Sequence, residues 1–371
     1  MPEAVPDTPS ALAAALADAA HSGSSITLEG HGSKRSMGGP IAPADLTVST
    51  RGLNRVLQYE PADLTVSVEA GLSYRELSDT LARHRQMIPL DPPHAGEATV
   101  GGMLAANSSG PRRRLYGTAR DMVIGMQFAT LEGKLVNTGG MVVKNVAGLD
   151  MGKLLIGSFG TLAAIAIANF KVTPMPECQD SSLLEFPTVA AAMERRDAVL
   201  RGVIHPAAID VLNPAMSARY GLSGFVLALQ FEGDEAVVAR CLRETGGDRA
   251  AQDFWPGVRE VTTQFEGGAV IRISTKLTGM TQAFESLDVP AVGRAGNGVT
   301  YACFAQEAAA AAWIAAHGAS FRHVVESAGP EFREQAVLWQ AAASDFEMMK
   351  QIKNMFDPRH LLNRGRLFRA I

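Results

Sequence analysis

Between residues 98 and 110 the chain reads ATVGGMLAANSSG, a run made almost wholly of small residues. Such a run supplies little side chain to fill a core. It permits close approach instead: main chain can come up against a bound molecule, and Gly101, Gly102 and Gly110 admit the left-handed turns that point successive N–H groups one way. A diphosphate is gripped in this manner, so the surrounding fold has to present a cradle of that size. Residues 121–133 (DMVIGMQFATLEG) read as a mostly apolar strand closing on a Glu132-Gly133 turn before Lys134, which predicts a hairpin in a buried sheet. Residues 144–150 lead into a short apolar helix over 151–156. Gly157-Ser-Phe-Gly-Thr161 then opens onto the apolar stretch 162–172, its two glycines again bringing main chain close to something flat or phosphorylated.

Composition sets the outer bounds. With 371 residues, 47% of them hydrophobic and 19% charged, the chain can bury enough for two domains. A net charge of −4, with basic residues clustered only at Arg112-Arg113-Arg114, gives no electrostatic case for nucleic acid. No apolar run reaches the ~18 residues of a membrane span, and the opening MPEAVPDTPS lacks the basic and apolar regions of a signal peptide. The expected location is the cytoplasm. Cys178, Cys241 and Cys303 are few, far apart and without C-x-x-C spacing, so an iron–sulfur cluster would have to sit on a partner.

The order of elements is legible from start and stop signals. Residues 10–21 are predicted helical, 25–29 a strand, and residues 30–39 a second Gly/Ser loop carrying Lys34 and Arg35. This is not the Rossmann fingerprint, because no amphipathic helix with an acidic strand end follows. Residues 45–49, 55–59 and 64–69 alternate apolar with polar and are expected to form one small sheet, followed by an amphipathic helix over 74–84. After Pro174-Met-Pro176 the pattern changes. Helices over 189–201 and 236–245 alternate with strands over 208–212, 225–231 and 269–274, which predicts an antiparallel sheet with helices on one face.

Taken together, Thr99-Val-Gly-Gly102, Asn107-Ser-Ser-Gly110, Tyr116-Gly117, Asp121, Gly148-Leu-Asp150, Leu154-Leu-Ile-Gly-Ser158 and Gly160-Thr161 resemble the FAD-binding domain of the vanillyl-alcohol-oxidase type, the PCMH fold. Within that superfamily they look most like the FAD-linked D-2-hydroxy-acid dehydrogenases and the glycolate oxidase flavoprotein subunits. The likeness is strong over the first half and weak over the second. It implies an α+β protein: an FAD-binding domain over residues 1–176 in two subdomains of about 1–90 and 91–176, a cap or substrate domain over 177–341, and a segment over 342–371 returning to the FAD domain. It implies FAD, held non-covalently because the Gly-Gly-His pattern of covalent attachment is absent. The cofactor-binding residues carried over are Gly30, His31, Gly32, Ser33, Lys34, Pro92, Thr99, Val100, Gly101, Gly102, Asn107, Ser108, Gly110, Tyr116, Gly117, Gly160, Thr161, Ile165 and Asn363. Glu29 stands where the family often has Arg, and Lys34 with Arg35 would replace that charge. Asn363-Arg-Gly-Arg366 stands where the usual pattern resembles N-P-G-K, with Asn363 near the flavin.

Oxidation of a 2-hydroxy acid needs a base for the hydroxyl proton and cations for the carboxylate. In catalytic relatives a motif resembling H-x-G-D-G-N-x-H serves there. The corresponding stretch has Arg294 in the first His position and Thr300-Tyr301 near the second, so no His remains. His21, His31, His84, His94, His205, His317, His323 and His360 show no metal-ligand spacing, and no metal is expected. No catalytic residue is assigned; Arg259 and Arg294 are the candidates for a substrate carboxylate. Three readings follow. The first is an FAD-binding subunit of a glycolate oxidase, working beside a larger FAD-binding subunit and an iron–sulfur subunit and reaching the inner face of the membrane only through them. The others are a self-sufficient D-2-hydroxy-acid dehydrogenase and a non-catalytic assembly subunit.

Overall fold

A computed structural model of the protein describes residues 2–141, 150–265, 267–340, 345–369 and 371. The expected lead-in over 144–150 falls largely outside the described residues. The chain divides into two compact units, one of Met1–Ser109, Gly117–Met175 and Ala341–Ile371, the other of Gly110–Tyr116 and Pro176–Gln340.

The first unit begins with the helix Pro9–Ser22, which starts where Thr8 accepts a hydrogen bond from the Ala11 N–H at 3.2 Å and stops where Gly23 turns left-handed at φ 74°. Leu12, Ala13, Leu16 and Ala19 lie on its inner face and pack with Ile26, Val48, Ala164, Ala166 and Leu362. Each Leu, Ile or Val among them contributes about 1.5–3 kcal/mol by burial. The strands Ile26–Glu29 and Leu46–Ser49 pair in parallel, with Glu3–Ala4 at the edge, while Val56–Glu60 and Thr65–Glu69 belong to a separate five-stranded antiparallel sheet. The expectation of one small sheet over 45–69 is therefore corrected: alternation marks strands but not their partners, and the Gly/Ser loop provides the crossover a parallel pair requires. The five-stranded sheet continues through Ala164–Lys171, Val123–Ala129 and Leu135–Gly139, and the last two form the expected hairpin.

A second correction concerns the small-residue run. Val100–Ala105 is a short helix entered through Thr99, whose hydroxyl accepts from the Gly102 N–H at 3.2 Å. None of Gly101, Gly102 and Gly110 is left-handed; Asn107 is, at φ 48°. Gly101 serves close packing, because a Cβ there would lie 2.9 Å from that of Ala70.

The second unit is an eight-stranded antiparallel sheet. Ile209, Val211, Leu227, Leu229, Ile271 and Ile273 face the helices Val189–Arg201, Glu235–Thr245, Met280–Glu285 and Glu307–His317. On the other face the shorter helices Pro214–Ser217 and Phe254–Arg259 cover Leu212, Val226, Ala228, Val270, Val292 and Cys303. The sequence pattern showed the helices over 189–201 and 236–245; Met280–Glu285, Pro214–Ser217 and Phe254–Arg259, four to six residues each, fall below what periodicity resolves.

Candidate cofactor site

Within the first unit the strand Ile26–Glu29, the 30–35 turn, one edge of the Val100–Ala105 helix, Phe159 and the tail residues Asn363, Arg364 and Arg366 enclose a cleft of about 730 Å³. A second lobe of about 410 Å³ shares Leu28, Glu29, Gly30, Gly102, Ala105 and Phe159 with it and extends to Ser158, Gly160 and Ile165. The segment 157–160 is held beside the helix by two hydrogen bonds, from the Gly157 N–H to the Leu104 carbonyl at 3.1 Å and from the Phe159 N–H to the Ala105 carbonyl at 2.9 Å. That path requires left-handed backbone at Gly157, Phe159 and Gly160 (φ 90°, 53° and 67°), with the glycines relieving most of the strain.

His31, Lys34, Arg35, Arg364 and Arg366 line the first lobe against the single carboxylate of Glu29. Arg35 does not replace the family's Arg as an unpaired cation, since its guanidinium clamps Glu29 at 2.9 and 2.5 Å. Lys34 reaches the Pro93 carbonyl at 3.3 Å, and a ring nitrogen of His31 lies 3.0 Å from the Glu97 carbonyl oxygen. A Cβ on Gly102 would meet only the Thr99 hydroxyl, at 3.0 Å, and otherwise occupy the cleft. Just beyond the helix, Asn107 Oδ1 and Ser108 Oγ are buried with no hydrogen-bond partner. Buried polar atoms left so call for a ligand or water. A basic cleft with a glycine edge fits a dinucleotide diphosphate.

Residues 3–139 match the family described as FAD binding domain, and residues 332–367 match the C-terminal domain of FAD linked oxidases. The chain is 32% identical to the glycolate oxidase subunit GlcE of Escherichia coli (strain K12) over 67% of its own length and 68% of that protein. It belongs to the FAD-linked oxidase family, with a PCMH-type FAD-binding domain. It is also 30% identical to the glycolate oxidase subunit GlcD of Bacillus subtilis (strain 168), over 49% of this chain and 39% of that one. With a D-lactate dehydrogenase of Archaeoglobus fulgidus it shares 26% identity over 93% of this chain and 86% of the relative. A solved alkyldihydroxyacetonephosphate synthase has the same fold, with a TM-score of 0.71 over 97% of this chain and 76% of that one, at 19% identity. The protein is thus an FAD-linked oxidoreductase related to glycolate oxidase subunits and D-2-hydroxy-acid dehydrogenases.

Of the residues carried over from the family, Gly30, His31, Gly32, Ser33, Lys34, Thr99, Gly101, Gly102, Gly160, Ile165 and Asn363 line the two lobes. Pro92 and Val100 are buried outside that lining, and Thr161 is buried with its hydroxyl donating to the Ser158 carbonyl at 2.7 Å. Gly117 is left-handed at φ 84° and leads into the Thr118–Asp121 capping box. Gly110 and Tyr116 fall in the second unit, where the Tyr116 hydroxyl donates to Glu232 at 2.6 Å. Asn363 is a splice in the backbone. Its side-chain oxygen accepts from the Leu28 N–H at 2.7 Å, and its amide donates to the carbonyls of Leu28 (3.1 Å) and Phe159 (2.7 Å). Sequence reasoning missed Phe159 and Arg366; the glycines flanking them were the available signal.

The family's cap-domain candidates are occupied within the second unit. Arg294 is buried, donates to Asp210 and to the Val258 carbonyl (3.1 Å), and lies over the Tyr301 ring. Burial pushes the Asp210 carboxyl up to about 6 although Arg294 opposes the shift. Arg259 pairs with Glu260 at 3.1 Å. Among the described residues no three His, Cys, Asp or Glu side chains come together as a metal site, and no helix is long and apolar enough to cross a membrane.

Proposed function

We propose that this chain is the FAD-holding subunit of a glycolate oxidase type assembly that oxidises glycolate to glyoxylate, acting beside a larger FAD-binding subunit and an iron–sulfur subunit that carries electrons onward. The observation that carries the reading is the position of Arg294. It stands where catalytic relatives have a His, and its guanidinium is buried against Asp210 and the Val258 carbonyl. A side chain so committed neither accepts a hydroxyl proton nor reaches a substrate carboxylate. The likeness to a GlcE subunit over two thirds of both chains supports the same reading.

In this account the cleft residues bind FAD without a covalent bond. Gly102 leaves room for the diphosphate, and Lys34 supplies positive charge. FAD, when bound, supplies the two-electron acceptor for hydride lost from a hydroxy-acid carbon. The protein's own part is to hold it and to exclude water. Residence in the cytoplasm, with attachment to the inner face of the membrane through the partners, belongs to the same proposal.

The match to a D-lactate dehydrogenase along 93% of this chain favours a second reading, a self-sufficient D-2-hydroxy-acid dehydrogenase. Co-expression separates the two. Glycolate-dependent dye reduction should appear only when the chain is co-purified with a larger FAD-binding glycolate oxidase subunit and an iron–sulfur subunit. Comparable turnover by the purified single chain would replace the first reading with the second.

A further inference from the structure

The loop that forms one wall of the cleft is shaped by a residue from the far end of the chain. Arg366 is buried, and its guanidinium donates to the carbonyls of Gly39 (2.7 Å), Lys34 (3.1 Å) and Arg35 (3.4 Å) while lying over the Phe159 ring. Main chain closes the grip from the other side, where the Gly39 N–H donates to the Arg366 carbonyl at 2.9 Å. The tail passes so near that a Cβ on Gly39 would overlap the Gly365 carbonyl oxygen, and one on Gly38 would lie 2.9 Å from that of Arg366. A loop containing Gly30, Gly32, Ser33, Ser36, Gly38 and Gly39 is intrinsically floppy, and ordering each residue costs about 1–2 kcal/mol. A planar fork that holds three of its carbonyls meets that cost before any ligand arrives.

We propose that Arg366 is the positioning residue of the 30–39 loop, preorganising it for FAD, so that affinity for the cofactor depends on the last turn of the chain. The proposal rests on the reading that this cleft takes FAD. It is specific to the fork geometry: a Lys can satisfy one carbonyl at a time and cannot gather three.

The test uses the full-length apoprotein, titrated with FAD by flavin fluorescence, together with hydrogen exchange of the loop. Arg366→Ala is expected to raise the Kd for FAD about 30-fold or more, since two or three loop residues must then be ordered on binding. Arg366→Lys should recover part of that loss. Exchange should quicken over 34–39 in both apo variants, while amides near the Asn363–Leu28 splice keep their protection. Arg359→Ala, on the same tail but exposed, outside the cleft lining and bonded to the Ala20 carbonyl at 2.6 Å, should stay within about threefold of the parent. Should the Ala variant fail to fold, R366K carries the test with a Kd raised about tenfold. Unchanged FAD affinity in R366K and R366A, or a loss of protection spread evenly through the first unit, would overturn the proposal. A parent chain that takes up no FAD would overturn the reading of the cleft and the proposal with it.

Discussion

Gly101 and Gly102 are neighbours that serve different ends. The Cβ of a residue at 101 would press on Ala70, its Cβ at 2.9 Å and its carbonyl oxygen at 3.1 Å, so Gly101→Val should lower stability by about 1–3 kcal/mol through overpacking. At 102 the added methyls would enter the cleft instead. Gly102→Val is expected to melt within a few degrees of the apo parent yet purify without flavin, which the flavin-to-protein absorbance ratio and a thermal melt together check. The Asp210–Arg294 pair gives a prediction of another kind. Asp210→Ala leaves Arg294 buried without its counter-ion and should cost about 3–5 kcal/mol at pH 7 in chemical denaturation. The sign of the pH dependence follows from a folded-state value raised from 3.8 to about 6. Between these values the folded protein binds a proton that the unfolded chain releases. The parent's stability relative to Asp210→Asn should therefore grow as pH falls from 6 to 4 and fade as pH rises through that window.

At the scale of elements, the C-terminal tail closes the first unit. Lys353, on the helix Phe346–Phe356, is fully buried and donates to Asp357 (2.6 Å) and to the carbonyls of Thr161 (2.7 Å) and Leu362 (3.1 Å). Asp357 in turn accepts from the N–H groups of Leu361 and Leu362, aligning Leu362 in a parallel bridge with Ile26. Lys353→Met strands Asp357 in the interior and should cost about 3–5 kcal/mol. Truncation from Asp357 onward should release flavin, read as loss of the bound-flavin spectrum with a lowered melting transition. The sequence showed that this tail needed a berth, because Leu361, Leu362 and Phe368 flank a polar Asn363. It also showed most strands and helices, whose periodicity is local. It did not show that Leu46–Ser49 pairs with Ile26–Glu29, nor that Asn363 joins Leu28 to Phe159. Such pairings are made between residues as much as 335 positions apart, and no local pattern encodes them. The small-residue run was legible as a place of close approach; that Gly101 and Gly102 sit in a helix was not, because Gly tolerates both backbone regions.

The whole molecule combines a cleft proposed for FAD with a second unit whose candidate cations are already paired. Arg294 faces Asp210, and Arg259 faces Glu260 at 3.1 Å. Such a chain is expected to hold flavin without completing the oxidation of a hydroxy acid, and to gain that capacity only in an assembly. The most direct measurement is anaerobic addition of glycolate to the purified, flavin-loaded single chain while the visible flavin absorbance is followed. The predicted result is a full oxidised-flavin band that does not bleach over the time in which the co-purified assembly turns over many times. Rapid bleaching in the single chain would contradict the account, as would a chain that carries no flavin band at all.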